Sequence, residues 1–210
     1  MGERIKYPLV ITLICLVSAA GLALTFAATR DRIAASREQD LVQGLQKVLP
    51  EHESLAVEEM PGDKAVYVAY SGPDETGDRV GYAAVGEAQG YASTIRVLVG
   101  VRPDLEIEAI TVLEMAETPG LGEQARERPP TKSIWQAIGD LFRDAEPEER
   151  PEPPFQEQFR GKRPNQLRLT DEPDSDDAIS QLTGATITSR AIVDATRRAI
   201  DLIREYRERE

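Results

Sequence analysis

The feature of this sequence that most constrains its folding is an uncharged, apolar run near the N-terminus. The run covers residues 9–28 and consists mainly of Leu, Ile, Val and Ala. Twenty residues of α-helix measure about 30 Å, the thickness of the hydrocarbon core of a bilayer. The run predicts a transmembrane helix. The alternative is a cleaved signal peptide, favoured by the small residues Thr25, Ala27 and Ala28, but the apolar region of such peptides is usually only ~7–15 residues long.

Basic residues on both sides of this run give only a slight preference for its orientation. Arg4 and Lys6 precede it, and Arg30 and Arg32 follow it. The very short leading segment favours an N-terminus on the cytoplasmic side. We therefore expect a single-pass protein of the bacterial inner (cell) membrane with its bulk on the periplasmic or extracytoplasmic side. The expected division is a cytoplasmic N-terminus (1–8), a transmembrane anchor (9–29), a juxtamembrane helix (30–50) and an extracytoplasmic domain (51–210).

Composition excludes several classes of function. A formal net charge of −12 over 210 residues argues against nucleic acid as a partner. The one cysteine, Cys15, lies in the apolar run, and His52 is the one histidine. A disulfide framework, a zinc or iron–sulfur cluster and a histidine-based catalytic triad are therefore not expected. We expect no catalytic side chain and no metal site, so that chemistry has to come from a bound cofactor.

The soluble part predicts an α+β fold, a small, mostly antiparallel sheet packed with helices. Its pattern is one of short β-rich runs separated by turns, followed by helices and a Pro/Glu-rich loop. The expected strands are 65–70, 80–85, 94–101 and 107–113, the expected helices are 133–142, with Trp135 in the core, and 190–207, and the loop is 146–154.

A turn rich in small and hydroxyl residues leads into the last predicted helix. It reads Leu-Thr-Gly-Ala-Thr-Ile-Thr-Ser over residues 182–189. The amide groups at a helix N-terminus are unpaired and favour an anion, and the small residues leave a phosphate room to approach. Ordinary capping of the helix by Thr188 or Ser189 explains the same pattern.

A second segment forms a tight turn after the last predicted strand. Residues 117–122 read Glu-Thr-Pro-Gly-Leu-Gly, where proline fixes φ and the two glycines permit conformations closed to other residues. Taken alone, this is also the pattern of a plain loop.

Together the two segments resemble the FMN-binding domain family, and within it the G subunits of Rnf-type ion-translocating electron-transport complexes. The resemblance implies FMN joined by a phosphoester to Thr186, with Thr188 as second choice and Thr183, Gly184 and Ala185 beside it. It also implies flavin contacts from Glu117, Thr118, Gly120 and Leu121. Weaker similarity extends to Gly90-Tyr91, Val99-Gly100, Gln158-Phe159 and Gly161-Lys162.

The resemblance implies a redox subunit of an ion-translocating oxidoreductase, a translocase, with little activity alone. It would relay electrons between ferredoxin and NAD chemistry inside the complex. The implied partners are the other Rnf subunits, the membrane, and a separate Mg-dependent flavin transferase that uses FAD.

Two alternatives stay open. One is the related C-type subunit of a sodium-translocating NADH:quinone reductase. The other is a membrane-anchored sensor or binding domain without flavin, since Ser180 stands where the family usually has an acidic residue.

Overall fold

The computed structural model describes residues 3–75, 77–117, 122–126, 154–172 and 175–209. The chain forms two compact units, Met1–Val42 and Gln43–Glu210. The predicted helix over 133–142, with Trp135, and nearly all of the predicted loop over 146–154 lie outside the described residues.

The first unit consists of a single helix. Helix α1 extends over Glu3–Val48, so the predicted anchor and the predicted juxtamembrane helix are continuous. In the part of the chain that the structure describes, this is the one helix long and apolar enough to cross a membrane. Its large apolar side chains between Leu9 and Phe26 are exposed. The helix ends shortly before Pro50, because a proline ring makes the helical conformation unfavourable for the residue that precedes it.

The second unit is built on a five-stranded antiparallel sheet whose strands pair in chain order. The predicted α+β fold is confirmed. The strands are β1 (Ser54–Met60), β2 (Lys64–Tyr70), β3 (Arg79–Gln89), β4 (Thr94–Val101) and β5 (Ile107–Glu114). The pattern of residues did not predict β1, an edge strand that carries two adjacent glutamates. This segment forms a strand because each of its residues pairs with a residue of β2.

One face of the sheet is covered by a long C-terminal helix, α3 (Thr186–Arg209), which packs on β3 and β4. Ile95, Val97, Val99 and Val101 lie on this face and are fully buried, as their alternation along β4 predicts. At Gly86 the approach is so close that a Cβ atom would lie 1.9 Å from the carbonyl oxygen of Ala195. The helix backbone therefore lies directly on the strand.

The other face of β4 is also buried, which the alternation did not predict. Residues 43–49, the end of α1 and the residue after it, lie against this face. A Cβ atom at Gly100 would lie 1.8 Å from the carbonyl oxygen of Val48, and one at Gly44 would lie 2.8 Å from Leu98. Leu98 and Val48 are fully buried as a result. The sheet is thus the middle of three layers.

Short elements connect β5 to α3. Helix α2 (Pro154–Glu157) precedes a turn that is joined to the start of β5, where the Ile107 amide donates to the Lys162 carbonyl oxygen. Strands β6 (Leu169–Thr170) and β7 (Ile179–Ser180) pair in parallel. They are too short to be predicted from periodicity.

Replacing Gly86 by alanine tests the contact between β3 and α3. We expect Gly86→Ala to lower the free energy of unfolding by at least about 2 kcal/mol, because the new methyl group overlaps backbone atoms that cannot rotate away. Urea unfolding of the detergent-solubilised chain measures this. Gly21→Ala is the matched control, since a Cβ there meets no atom within 4 Å. Equal stability of the two variants would contradict the contact.

Candidate functional site

The turn before α3 is closed by hydrogen bonds within the turn and from the helix. The Ala185 amide donates to the Leu182 carbonyl oxygen at 3.0 Å. The buried Ser189 hydroxyl donates to the Ala185 carbonyl oxygen and accepts from the Leu182 amide, both at 3.0 Å. Gly184 has φ +77°, a left-handed conformation that favours glycine, and a Cβ there would meet open space. Ser189 therefore holds the turn on its buried side, and the side at Gly184 is open.

Helix α3 begins at Thr186, four residues earlier than predicted. Thr188 and Ser189 consequently lie inside the helix. Thr183, Gly184 and Thr186 are exposed, and Ala185 is buried. Thr188, in contrast, is only 1% exposed. The two threonines predicted as acceptors therefore differ sharply in accessibility.

The start of α3 has the properties of an anion site. The first amides of a helix have no acceptor within that helix, and in α3 these are the amides of Thr186, Ile187 and Thr188. The first turn of α3 itself contains no acidic residue. The helix dipole adds a partial positive charge at this end. The open turn at Gly184 gives a phosphate access to these groups.

Glu117 follows β5 and is 9% exposed. Its carboxylate accepts hydrogen bonds from the backbone amides of Tyr91, Ala92 and Ser93, each at 3.2 Å. The Ser93 hydroxyl accepts from the Ala116 amide at 2.9 Å and donates to the carboxylate at 3.4 Å. The end of β5 is thereby joined to the turn between β3 and β4.

The same carboxylate also reaches the start of α3. The Thr188 hydroxyl donates to Glu117 Oε2 at 2.9 Å, across 71 residues of sequence. Two glycines pack tightly around this pair. A Cβ at Gly90 would lie 2.5 Å from Glu117 Oε1, and one at Gly122 would lie 2.5 Å from Thr188 Oγ1. The structure thus brings together two motifs that are far apart in the sequence.

Of the four predicted flavin contacts, Glu117 is described and forms the hydrogen bonds given above, whereas Thr118, Gly120 and Leu121 lie outside the described residues. Ser93, Gly122 and Ser189, which hold the site together, were not predicted as site residues. Ser93 lies 24 residues from its partner Glu117, and no local pattern indicates this pairing. Ser189 belongs to the hydroxyl-rich segment, but the pattern indicated only a cap there.

Two large apolar side chains lie exposed beside the site. Tyr91 is 65% exposed and Ile187 is 54% exposed. The amide of Tyr91 and the hydroxyl of Thr188 share the same acceptor, Glu117 Oε2. Tyr91 therefore lies next to the first turn of α3, where Ile187 is located. Exposed side chains thus belong to two of the segments that meet at Glu117.

The segment that contains Gln158 and Lys162 supports the chain before the turn. The Gln158 side chain accepts from the Ser180 amide at 2.7 Å and donates to the Ser180 carbonyl oxygen at 3.4 Å. Lys162 Nζ donates to the carbonyl oxygens of Ser175, at 3.1 Å, and Asp176. Both side chains therefore hold the path of residues 175–180 toward α3.

Residues 90–201 match the model of the FMN-binding domain family. This range begins at Gly90 and includes the β3–β4 turn, Glu117 and the first turn of α3. The chain belongs to the FMN-binding domain family.

The chain is also similar to named proteins over almost its full length. It is 27% identical to the G subunit of the ion-translocating oxidoreductase complex of Aliivibrio fischeri, over 97% of this chain and 91% of that protein. It is 24% identical to the G subunit of the proton-translocating ferredoxin:NAD(+) oxidoreductase complex of Clostridium ljungdahlii, over 93% of this chain and 89% of that protein. The expected similarity to G subunits is confirmed.

A solved structure, that of Shewanella oneidensis NqrC, is 17% identical with a TM-score of 0.45 and covers 78% of this chain and 73% of that one. This likeness is too weak to support a conclusion about fold or function.

Replacing Ser189 by alanine tests how the turn before α3 is held. The change removes a buried hydroxyl and leaves the Leu182 amide without its acceptor, so we expect a loss of about 1–3 kcal/mol in the free energy of unfolding. Faster hydrogen exchange at the Leu182 amide should accompany it. Thr183→Ala, in the same turn but exposed, serves as control and should change the stability by less than about 0.5 kcal/mol. Unchanged exchange at Leu182 would contradict this role of Ser189.

Proposed function

We propose that this chain carries FMN attached covalently to Thr186 through a phosphoester. The observation that supports this choice is the contrast between the two candidate hydroxyls. Thr186 is exposed at the first position of α3, whereas Thr188 is buried and donates to Glu117. An attaching enzyme can reach the first hydroxyl without unfolding the helix. Thr183, Gly184 and Ala185 then form the turn beside the phosphate.

The attachment needs a separate enzyme, because a threonine hydroxyl is a weak nucleophile without a neighbouring base. A Mg-dependent flavin transferase with FAD as donor meets this need. The Thr186 oxygen bonds to the phosphorus on the riboflavin side of FAD, and the bond from that phosphorus to the bridging oxygen breaks. AMP leaves, and the hydroxyl proton passes to a base of the transferase. Thr186 is therefore an attachment point and takes no part in electron transfer.

The tethered cofactor makes the chain an electron relay. FMN supplies one- and two-electron redox chemistry, and the protein supplies position and access. The segment 118–121 and the exposed Tyr91 and Ile187 would contact the ring. Because Thr186 holds the phosphate covalently, repeated redox cycles do not release the flavin.

The relay would operate inside a membrane complex of the Rnf type, with the other subunits as partners. The names of the related G subunits refer to ion-translocating oxidoreductases, and that of the Clostridium ljungdahlii protein refers to ferredoxin and NAD. We assign ion translocation to those other subunits, because residues 9–28 contain no charged side chain that would carry an ion. This chain alone would have little turnover.

We further propose that residues 9–29 anchor the chain in the bacterial inner membrane, with residues 1–8 in the cytoplasm. The helix continues through Val48, the juxtamembrane segment extends over residues 30–50, and residues 51–210 form the extracytoplasmic domain. The length and exposed apolar surface of α1 support the anchor.

Replacing Thr186 tests the attachment site. The full-length chain is expressed together with a flavin transferase, denatured in SDS and viewed on a gel under ultraviolet light. We expect a fluorescent band for wild type and none for Thr186→Ala, because the acceptor oxygen is gone. Mass spectrometry of the wild-type peptide should show FMN added with loss of water.

Ser36→Ala is the control, since it removes an exposed hydroxyl from α1, outside the turn, and should keep the band. Two results would refute the proposal. One is a dark wild type when a control substrate of the transferase is labelled, which favours a sensor without flavin. The other is a Thr186→Ala chain that still carries FMN, which points to Thr188.

Labelling of an introduced cysteine tests the orientation. Lys64 is exposed at the first position of β2, so Lys64→Cys in a Cys15→Ala background provides one reactive thiol on the domain. We expect a membrane-impermeant maleimide to label it in intact spheroplasts. Labelling only after the cells are lysed would place the domain in the cytoplasm.

A further inference from the structure

We propose that Glu117 is a positioning residue whose carboxylate, through Thr188, locks the first turn of α3 to residues 91–93 and thereby sets how fast Thr186 is flavinylated. This inference rests on the proposed function, in which Thr186 is the acceptor. It concerns a pair of residues, Glu117 and Thr188, that the transferase does not need to touch.

The hydrogen bonds of Glu117 to described residues use both carboxylate oxygens. Oε1 accepts from the amides of Ala92 and Ser93, and Oε2 accepts from the Tyr91 amide and the Thr188 hydroxyl. Within the described part of the chain, no lysine or arginine forms an ion pair with it. Its negative charge is therefore stabilised by the three amides and by hydroxyl groups. A carboxylate bound in this way acts on the site through the residues that it holds.

The packing around the pair leaves it little freedom to move. Gly90 approaches Glu117 Oε1 so closely that a Cβ would lie 2.5 Å away, and Gly122 approaches Thr188 Oγ1 to the same distance. Thr188 is 1% exposed, so water does not compete for its hydroxyl. The lock therefore joins three segments: the β3–β4 turn, the end of β5 and the start of α3.

The lock acts on the first turn of α3, which carries the acceptor residue Thr186. The first turn of a helix frays, because its amides have no acceptor within the helix. Thr186 is the first residue of α3, two positions before Thr188. Fixing Thr188 fixes the backbone that carries Thr186. Phosphoryl-group transfer requires the hydroxyl oxygen close to the donor phosphorus, and a displacement of about 1 Å can cost a hundredfold in rate.

The experiment compares flavinylation rates of the full-length chain in detergent with purified transferase, FAD and Mg²⁺. Initial rates come from the fluorescence of SDS-denatured samples, at a temperature well below the melting temperature of every variant. We expect Thr188→Val and Glu117→Gln to load about tenfold to a hundredfold more slowly than wild type. Thr188→Ser keeps a hydroxyl on Oε2 and should load within about twofold of wild type.

Thr196→Val is the matched control. Thr196 is fully buried in the same helix, and its hydroxyl donates to the Ile192 carbonyl oxygen at 2.8 Å. The change removes the same group without touching the lock, so the loading rate should equal that of wild type even where the melting temperature falls. Hydrogen exchange of the unloaded chains provides a second readout. The hydrogen-bonded amides of Ala185 and Ser189, which donate to the carbonyl oxygens of Leu182 and Ala185, should exchange faster in Thr188→Val and unchanged in Thr196→Val.

The results of this experiment separate the two proposals. Loading of Thr188→Val at the wild-type rate, with covalent FMN present, overturns the lock and leaves the proposed function intact. The lock also fails if Thr188→Ser is as slow as Thr188→Val, because the hydroxyl is then irrelevant. A wild type that never takes up flavin, beside a labelled control substrate, overturns the proposed function itself and with it any role of Glu117 in loading.

Discussion

The structure depends on backbone-to-backbone contact between the central sheet and the helices on its two faces. Gly86 lets α3 approach β3, and Gly100 lets the end of α1 approach β4, each at a distance that no side chain would permit. These contacts bury both faces of β4 and fix the distance between α3 and the sheet. Because close-packed interiors transmit displacements, the position of Thr186 at the start of α3 follows from the contact at Ala195, about two and a half turns further along the helix.

The site forms where the edge of this packing meets two loops. The carboxylate of Glu117 accepts hydrogen bonds from three backbone amides that would otherwise be partly buried without partners. It also accepts one from the hydroxyl of Thr188. Burying a carboxylate costs free energy unless hydrogen-bond donors surround it. The β3–β4 turn supplies such donors to Glu117, among them the amide and hydroxyl of Ser93, and Gly90 leaves room for the carboxylate. The exposed turn at Thr183 and Gly184 lies directly beside this buried network. The exposed turn therefore stands on a buried, hydrogen-bonded support.

Much of the fold was accessible from local pattern. Alternation along β4 indicated the strand and its buried face, and the apolar stripe of the last helix indicated its packing. The strand β1 and the earlier start of α3 were not accessible, because pairing with β2 and the Ser189 bonds decide them. The second buried face of β4 also escaped prediction. Leu98 and Gly100 are buried by the end of α1, a contact between segments about fifty residues apart.

The sequence by itself determined the membrane-length helix, the α+β class and membership of the FMN-binding domain family, because each of these depends on composition, periodicity or a short motif. Only the tertiary structure decided which hydroxyls of the motif are accessible. The sequence alone does not distinguish the three threonines Thr183, Thr186 and Thr188. In the structure, Thr188 donates to a carboxylate 71 residues away, and Thr186 is exposed to solvent. The burial of a side chain is a property of what packs against it, and for Thr188 that partner comes from a distant strand end.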